Sequence, residues 1–197
     1  ALLGAIDAIK AQTTRLEVVR ALEDNRIQDA IDLIRWDIGE DFLRRNIPAN
    51  LRDAYELAGE AAEQKLTRAG MRLSFDLLNP RAVDWVRRRS GDLIREFGES
   101  SKEGIRALIR AGFQDGIPPR TIASQIIDTG IGLTTRYAVA VERYRTRLED
   151  DPDHDRSQEQ VDRMSERYAS KLLRMRAETI ARTEVMQAQN EGQRELW

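Results

Sequence analysis

Five prolines and twelve glycines are spread through 197 residues, so this chain meets few points at which a helix has to stop. Charged residues make up 34% and hydrophobic residues 41%. Interleaved along the chain, they specify apolar stripes on charge-laced helices rather than a disordered polymer. The expected fold is therefore mainly α: a multi-helix domain with long helices and at most one or two short β-strands. The length suits one good-sized domain or two small ones. Because the chain begins at Ala1, it is expected to be part of a longer protein.

Composition also removes several functional classes. With 32 basic and 34 acidic residues the net charge is −2, so no global field advertises nucleic acid. No apolar run approaches the roughly 18 residues of a membrane span, and no membrane partner is expected. The absence of cysteine excludes disulfides, thiolate chemistry and cysteine-ligated metals. A single histidine, His154, removes the usual catalytic triads. With no phosphate-binding glycine loop and no nucleophile elbow either, the expectation is a non-enzyme without cofactors.

Along the chain, Leu16, Val19, Ile27, Ile31 and Ile34 recur at helical steps, with a break expected near Asp24 and Asn25. A second break is expected at Pro48. "LRDAYELAGEAAEQKLTRAG" (51–70) then predicts a strong helix with Leu51, Ala54, Leu57, Ala58, Ala61, Ala62 and Leu66 inward and Gly70 as its stop. "MRLSFDLLN" (71–79) alternates apolar and polar residues, as a half-buried strand would. Ser100 and Glu103 make a capping-box pattern. Gly116 and Pro118–Pro119 punctuate the chain before a short helix carrying Ile122, Ala123, Ile126 and Ile127. Thr134 or Thr135 caps a helix striped by Tyr137, Val141, Tyr144 and Leu148. A last helix is expected from about Glu159 into the 190s.

Four clusters bear on function. Arg163, Arg167, Lys171 and Arg174 fall at steps of four, four and three, on one face of the last helix. They form a candidate surface for double-stranded DNA or an acidic partner, against the plainer reading of a solvated face diluted by Glu159, Asp162 and Glu166. Arg87, Arg88 and Arg89, with Arg81, Trp85 and Arg95 nearby, are a second candidate patch, although consecutive arginines spread around a helix. Asp151, Asp153, Asp155 and Asp162 fall at positions 1, 3, 5 and 12 of a calcium-loop spacing. The match fails at Arg156, where that loop takes glycine, and at Asp162, where it takes glutamate; the plainer reading is a solvated acidic loop. "RAETIARTEV" (176–185) packs Arg176, Glu178, Thr179, Arg182, Thr183 and Glu184 around Ile180 and Val185. Glu178 is placed one turn from both Arg174 and Arg182. Buried against a neighbour, these groups would act as a register-setting network.

The stretch "YASKLLRMRAETIARTEVMQAQNEGQRELW" (168–197) resembles the core of the phage minor head protein family, the head morphogenesis proteins similar to the Mu F protein and the SPP1 minor head protein. The resemblance is carried by the run Arg176 to Glu184, followed by Ala188, Asn190 and Gly192. Upstream, "NPRAVDWV", "ESSKEGIRALIRAGFQDG" and "GLTTRYAVAVERYRTRLED" resemble the family in the same order, so the likeness covers residues 75–197. It divides the chain into an N-terminal helical region, 1–70, and a minor-head-protein-like helical domain, 71–197, expected to continue further. It implies a low-copy virion component at the portal vertex, present in the host cytoplasm during assembly. Its implied partners are the portal protein, the major capsid or scaffolding protein and, non-specifically, DNA during packaging or delivery. A non-specific DNA-binding head protein and a metal-regulated helical interaction domain are the alternatives.

Overall fold

The computed structural model describes residues 1–70, 80–151 and 156–194. The strand expected over 71–79 lies outside the described residues, as do Asp153, His154 and Asp155. Among the described residues there is no strand. The helices are α1 (Leu2–Gln12), α2 (Arg15–Glu23), α3 (Ile27–Asp32), α4 (Trp36–Arg68), α5 (Pro80–Gln114), α6 (Pro119–Gln125), α7 (Thr135–Glu149) and α8 (Gln158–Arg194). A π-turn, Ile126–Gly130, extends α6. No helix among the described residues is long and apolar enough to cross a membrane.

The break expected near Asn25 is present, with that residue in the left-handed region at φ 57°. Two other breaks are not. Helix α4 runs through Pro48, although proline removes the N–H that would bond the Arg44 carbonyl and typically costs about 3 kcal/mol. The offset is burial. Gly39, Leu43, Ile47, Leu51, Tyr55 and Gly59, at every fourth position, are all buried, and each large apolar side chain contributes about 1.5–3 kcal/mol. Ser100 likewise lies inside α5 rather than capping a new helix; its hydroxyl donates to the Glu96 carbonyl at 2.5 Å. Thr134 does act as a cap, accepting from the Tyr137 amide at 3.4 Å.

One apolar core gathers residues from both sides of residue 70. It joins Ile6, Ile9 and Leu22 to Ile105, Ile109 and Leu173. Helix α5 supplies the broadest face, from Val86 through Phe97 to Ile109, and Ile122, Ala123, Ile126 and Ile127 are buried against it as their spacing predicts. Three expected inward residues face solvent: Leu16 is 58% exposed, Leu57 is 69% exposed, and Ala61 is exposed as well. In α2 the inward face is Val18, Val19 and Leu22; in α4 it is the four-residue row, which passes through Tyr55 and Gly59 and leaves Leu57 opposite.

Helix α5 meets the segment before α7 without room for a side chain. A β-carbon on Gly104 would lie 2.2 Å from the Leu133 carbonyl oxygen. The neighbouring Gly132 has φ 87°, where glycine alone is unstrained. On α7, burial pushes the Glu142 carboxyl above its ordinary 4.5, with Arg145 opposing. Such a carboxyl binds its proton more tightly in the folded chain. Its contribution is therefore most favourable below about pH 4.5 and declines as pH rises through the raised value.

Three outcomes are expected. Gly104→Ala should lower stability in urea by about 1–3 kcal/mol. Alanine at Gly91 or Gly98, where a β-carbon meets open space, should raise it by about 0.5–1 kcal/mol. Glu142→Gln should raise the melting temperature at pH 7 and have little effect at pH 4; an unchanged difference across that range would refute the burial effect.

Candidate interaction groove

The run 176–185 lies in the second half of α8, and one feature of its spacing decides its role. Arg176, Ile180, Glu184, Ala188 and Gly192 recur at every fourth position and form the inward row of the helix. Rows of this kind are the ridges by which helices interdigitate. The opposing α4 row ends at Tyr55 and Gly59. Where the rows cross, a β-carbon on Gly192 would lie 2.9 Å from the Tyr55 carbonyl oxygen, and Ala188 is fully buried. Tyr55 packs its ring against Trp85 of α5, centroids 5.6 Å apart.

Two polar members of the row tie α8 to the rest of the molecule. Glu184 accepts from Arg89 of α5 at 2.6 Å and 2.5 Å, through both carboxylate oxygens. Its side chain is 9% exposed and that of Arg89 20%. Glu184 in turn is the main cause of the raised Arg89 pKa. A bidentate, largely dry pair is held in one geometry. Arg176 donates to the Gly132 carbonyl and, at 2.6 Å, to the Ser100 hydroxyl, while its guanidinium sits 5.2 Å over the Phe97 ring. Burial pulls its pKa down, with Tyr137 opposing. One α8 side chain thus secures both the left-handed turn before α7 and the middle of α5.

The polar network expected within 176–185 is therefore corrected. Glu178 makes no ion pair with Arg174 or Arg182, and all three are exposed. The Thr179 and Thr183 hydroxyls donate to the Met175 and Thr179 carbonyls, at 2.8 Å and 3.0 Å. Asn190 is exposed, whereas Gly192 is buried at the crossing. The partner of Glu184 came from 95 residues away. Its only sequence signal was the fourfold step.

Beside this inward row lies a groove of about 770 Å³. Its walls are α8 from Arg176 to Val185, α5 through Leu93 and Phe97, and α4 and α1 through Leu51 and Leu3. Leu3 and Val185 are 40% and 41% exposed along it. Such a groove, apolar inside with Glu96, Glu178 and Thr183 among its lining residues, has the form that receives a protein segment.

The other candidates are dispersed. Arg163 pairs with Glu159 at 2.6 Å. Arg167, Lys171 and Arg174 are exposed and have no ion-pair partner among the described residues. Arg89 turns inward to Glu184, Arg87 lines a cleft beside α4, and Arg88 lines a hollow with Asp84 and Glu191, so 87–89 do not make one patch. Of the calcium-loop positions, Asp151 pairs with Arg156 at 3.0 Å and Asp162 with Arg145 at 2.5 Å. No cluster of three metal-ligating side chains forms among the described residues.

No protein-family model, curated protein or solved structure compared with this chain matches it. The Arg89–Glu184 pair is open to a direct test. Glu184→Ala should cost about 1–3 kcal/mol, because it leaves the partly buried Arg89 guanidinium with only the exposed Glu96, 3.6 Å away. The Arg89→Ala/Glu184→Ala double variant should recover part of that loss. A coupling under about 0.5 kcal/mol in the denaturation cycle would reduce the pair to a surface interaction.

Proposed function

We propose that this chain is a phage minor head protein, a low-copy structural adaptor that acts at the portal vertex during head assembly and DNA packaging or delivery. The observation that carries the reading is the division of labour within residues 176–192. Arg176, Glu184, Ala188 and Gly192 of the family-like run hold the helical domain together. Glu178, Thr179, Arg182 and Thr183 of the same run are left exposed, and three of them, Glu178, Thr179 and Thr183, line the groove. A stretch used once for folding and once for presentation fits a protein whose work is attachment. The partner is the portal protein, with capsid or scaffolding protein as neighbours in the virion head.

Binding to the packaged genome is a second reading, favoured by Arg167, Lys171 and Arg174, which lie on one exposed stretch of α8 with no ion-pair partner among the described residues. Neutralised phosphates release counterions, so such binding weakens steeply with salt.

Replacing groove-side and neighbouring exposed residues, Glu178→Arg, Arg182→Glu and Val185→Glu together, should leave the fold intact. It should abolish copurification with the portal protein of the same phage and leave heads defective. A folded triple variant that copurifies and assembles normally overturns the adaptor reading. Changing Arg167, Lys171 and Arg174 to Gln should make the slope of log K against log salt for duplex DNA shallower, by about 0.9 for every phosphate that the variant no longer neutralises.

A further inference from the structure

A second depression, of about 480 Å³, lies between α4 and α5 and is lined from α4 by Arg44, Pro48 and Arg52 and from α5 by Arg87. No acidic residue lines it among the described residues. There, too, Arg52 and Arg87 have no ion-pair partner among the described residues, and Arg44 has only the exposed Glu40, at 3.5 Å one turn away, a pairing of little strength. Between the arginines the floor is apolar, formed by Pro48, Val86 and Ile94.

We infer that this cleft is a docking site for an acidic amphipathic helix of a partner protein. Spacing and charge specify that occupant. Arg44 and Arg52 stand eight residues apart on α4, about 12 Å along its axis, with Pro48 midway. A helix laid alongside α4 and carrying carboxylates seven or eight residues apart presents them at the same separation. The apolar residue one turn from each then meets Pro48, Val86 and Ile94. Arg87 closes the opposite wall. Guanidinium forks hold carboxylates through two parallel hydrogen bonds, which gives such a site orientation as well as charge. Gly91 keeps the α5 side low, since a β-carbon there meets open space. Duplex DNA offers the anions but no apolar side chain for the floor. The site shares no lining residue with the groove along α8, so it stands independently of the portal reading.

The probe is a labelled alanine-based helical peptide bearing two glutamates eight residues apart with leucine midway, titrated with the whole chain at physiological salt and followed by fluorescence anisotropy. Saturable binding is expected. It should weaken by about tenfold for Arg52→Gln and again for Arg87→Gln, and be unchanged when Arg167, Lys171 and Arg174 are changed to Gln. All of these side chains are exposed, and far-UV circular dichroism verifies the fold of each variant. In this cysteine-free chain, Gly91→Cys carrying a bulky maleimide should block binding without removing charge. Absence of saturable binding, equal binding of a peptide with glutamine in place of both glutamates, or indifference to Arg44→Gln/Arg52→Gln/Arg87→Gln would overturn the proposal. A duplex that binds through these three arginines where the peptide does not would overturn it in favour of nucleic acid.

Discussion

A row of residues at every fourth position advances about 40° around an α-helix with each step, and two such rows organise this molecule. On α4 the row from Gly39 to Gly59 is buried throughout, and on α8 the row from Arg176 to Gly192 turns inward. Because each row winds, a long helix changes neighbour along its length. The start of α4 presses Gly39 on Ile9 of α1, whereas its far half meets Gly192 of α8. The continuity of the row also keeps α4 helical through Pro48. The glycines where the rows meet set how closely the backbones approach.

On α8 two positions of the row are charged rather than apolar. A buried carboxylate or guanidinium is costly unless its hydrogen bonds are met, so Glu184 and Arg176 accept few placements of the helix. Arg89, Ser100 and the Gly132 carbonyl satisfy them together. Polar groups of this kind add specificity rather than large stability: a helix slid by one turn would leave both unpaired. The same register brings Glu178, Thr179 and Thr183 to the groove, so presentation of that surface depends on pairs made behind it.

Local regularity was readable from the residues alone. The helical period, the break at Asn25, the Thr134 cap and the inward set Ile122, Ala123, Ile126 and Ile127 depend on interactions within about four residues. Helices continue where tertiary burial outweighs a local stop signal, at Pro48 and at Ser100. Leu16, Leu57 and Ala61 face solvent because apolar type alone does not say which face of a helix has a neighbour. The candidate site was legible as a run of residues but not as an arrangement. Glu178, Arg174 and Arg182 satisfy the spacing of helical ion pairs, yet exposed pairs of that kind gain only about 0.3–0.5 kcal/mol, too little to hold three long side chains together.

By itself the sequence determined the class of fold, the location of most helices and the presence of one densely polar helix. These follow from periodicity and composition, which are properties of neighbouring residues. Only the tertiary structure decided that Glu184 belongs to Arg89, that Arg176 belongs to the Gly132 turn, and that Arg44 and Arg52 share a cleft with Arg87. Those pairings join residues distant along the chain, and their strength comes from the water excluded when helices pack. That exclusion exists only once the core has formed.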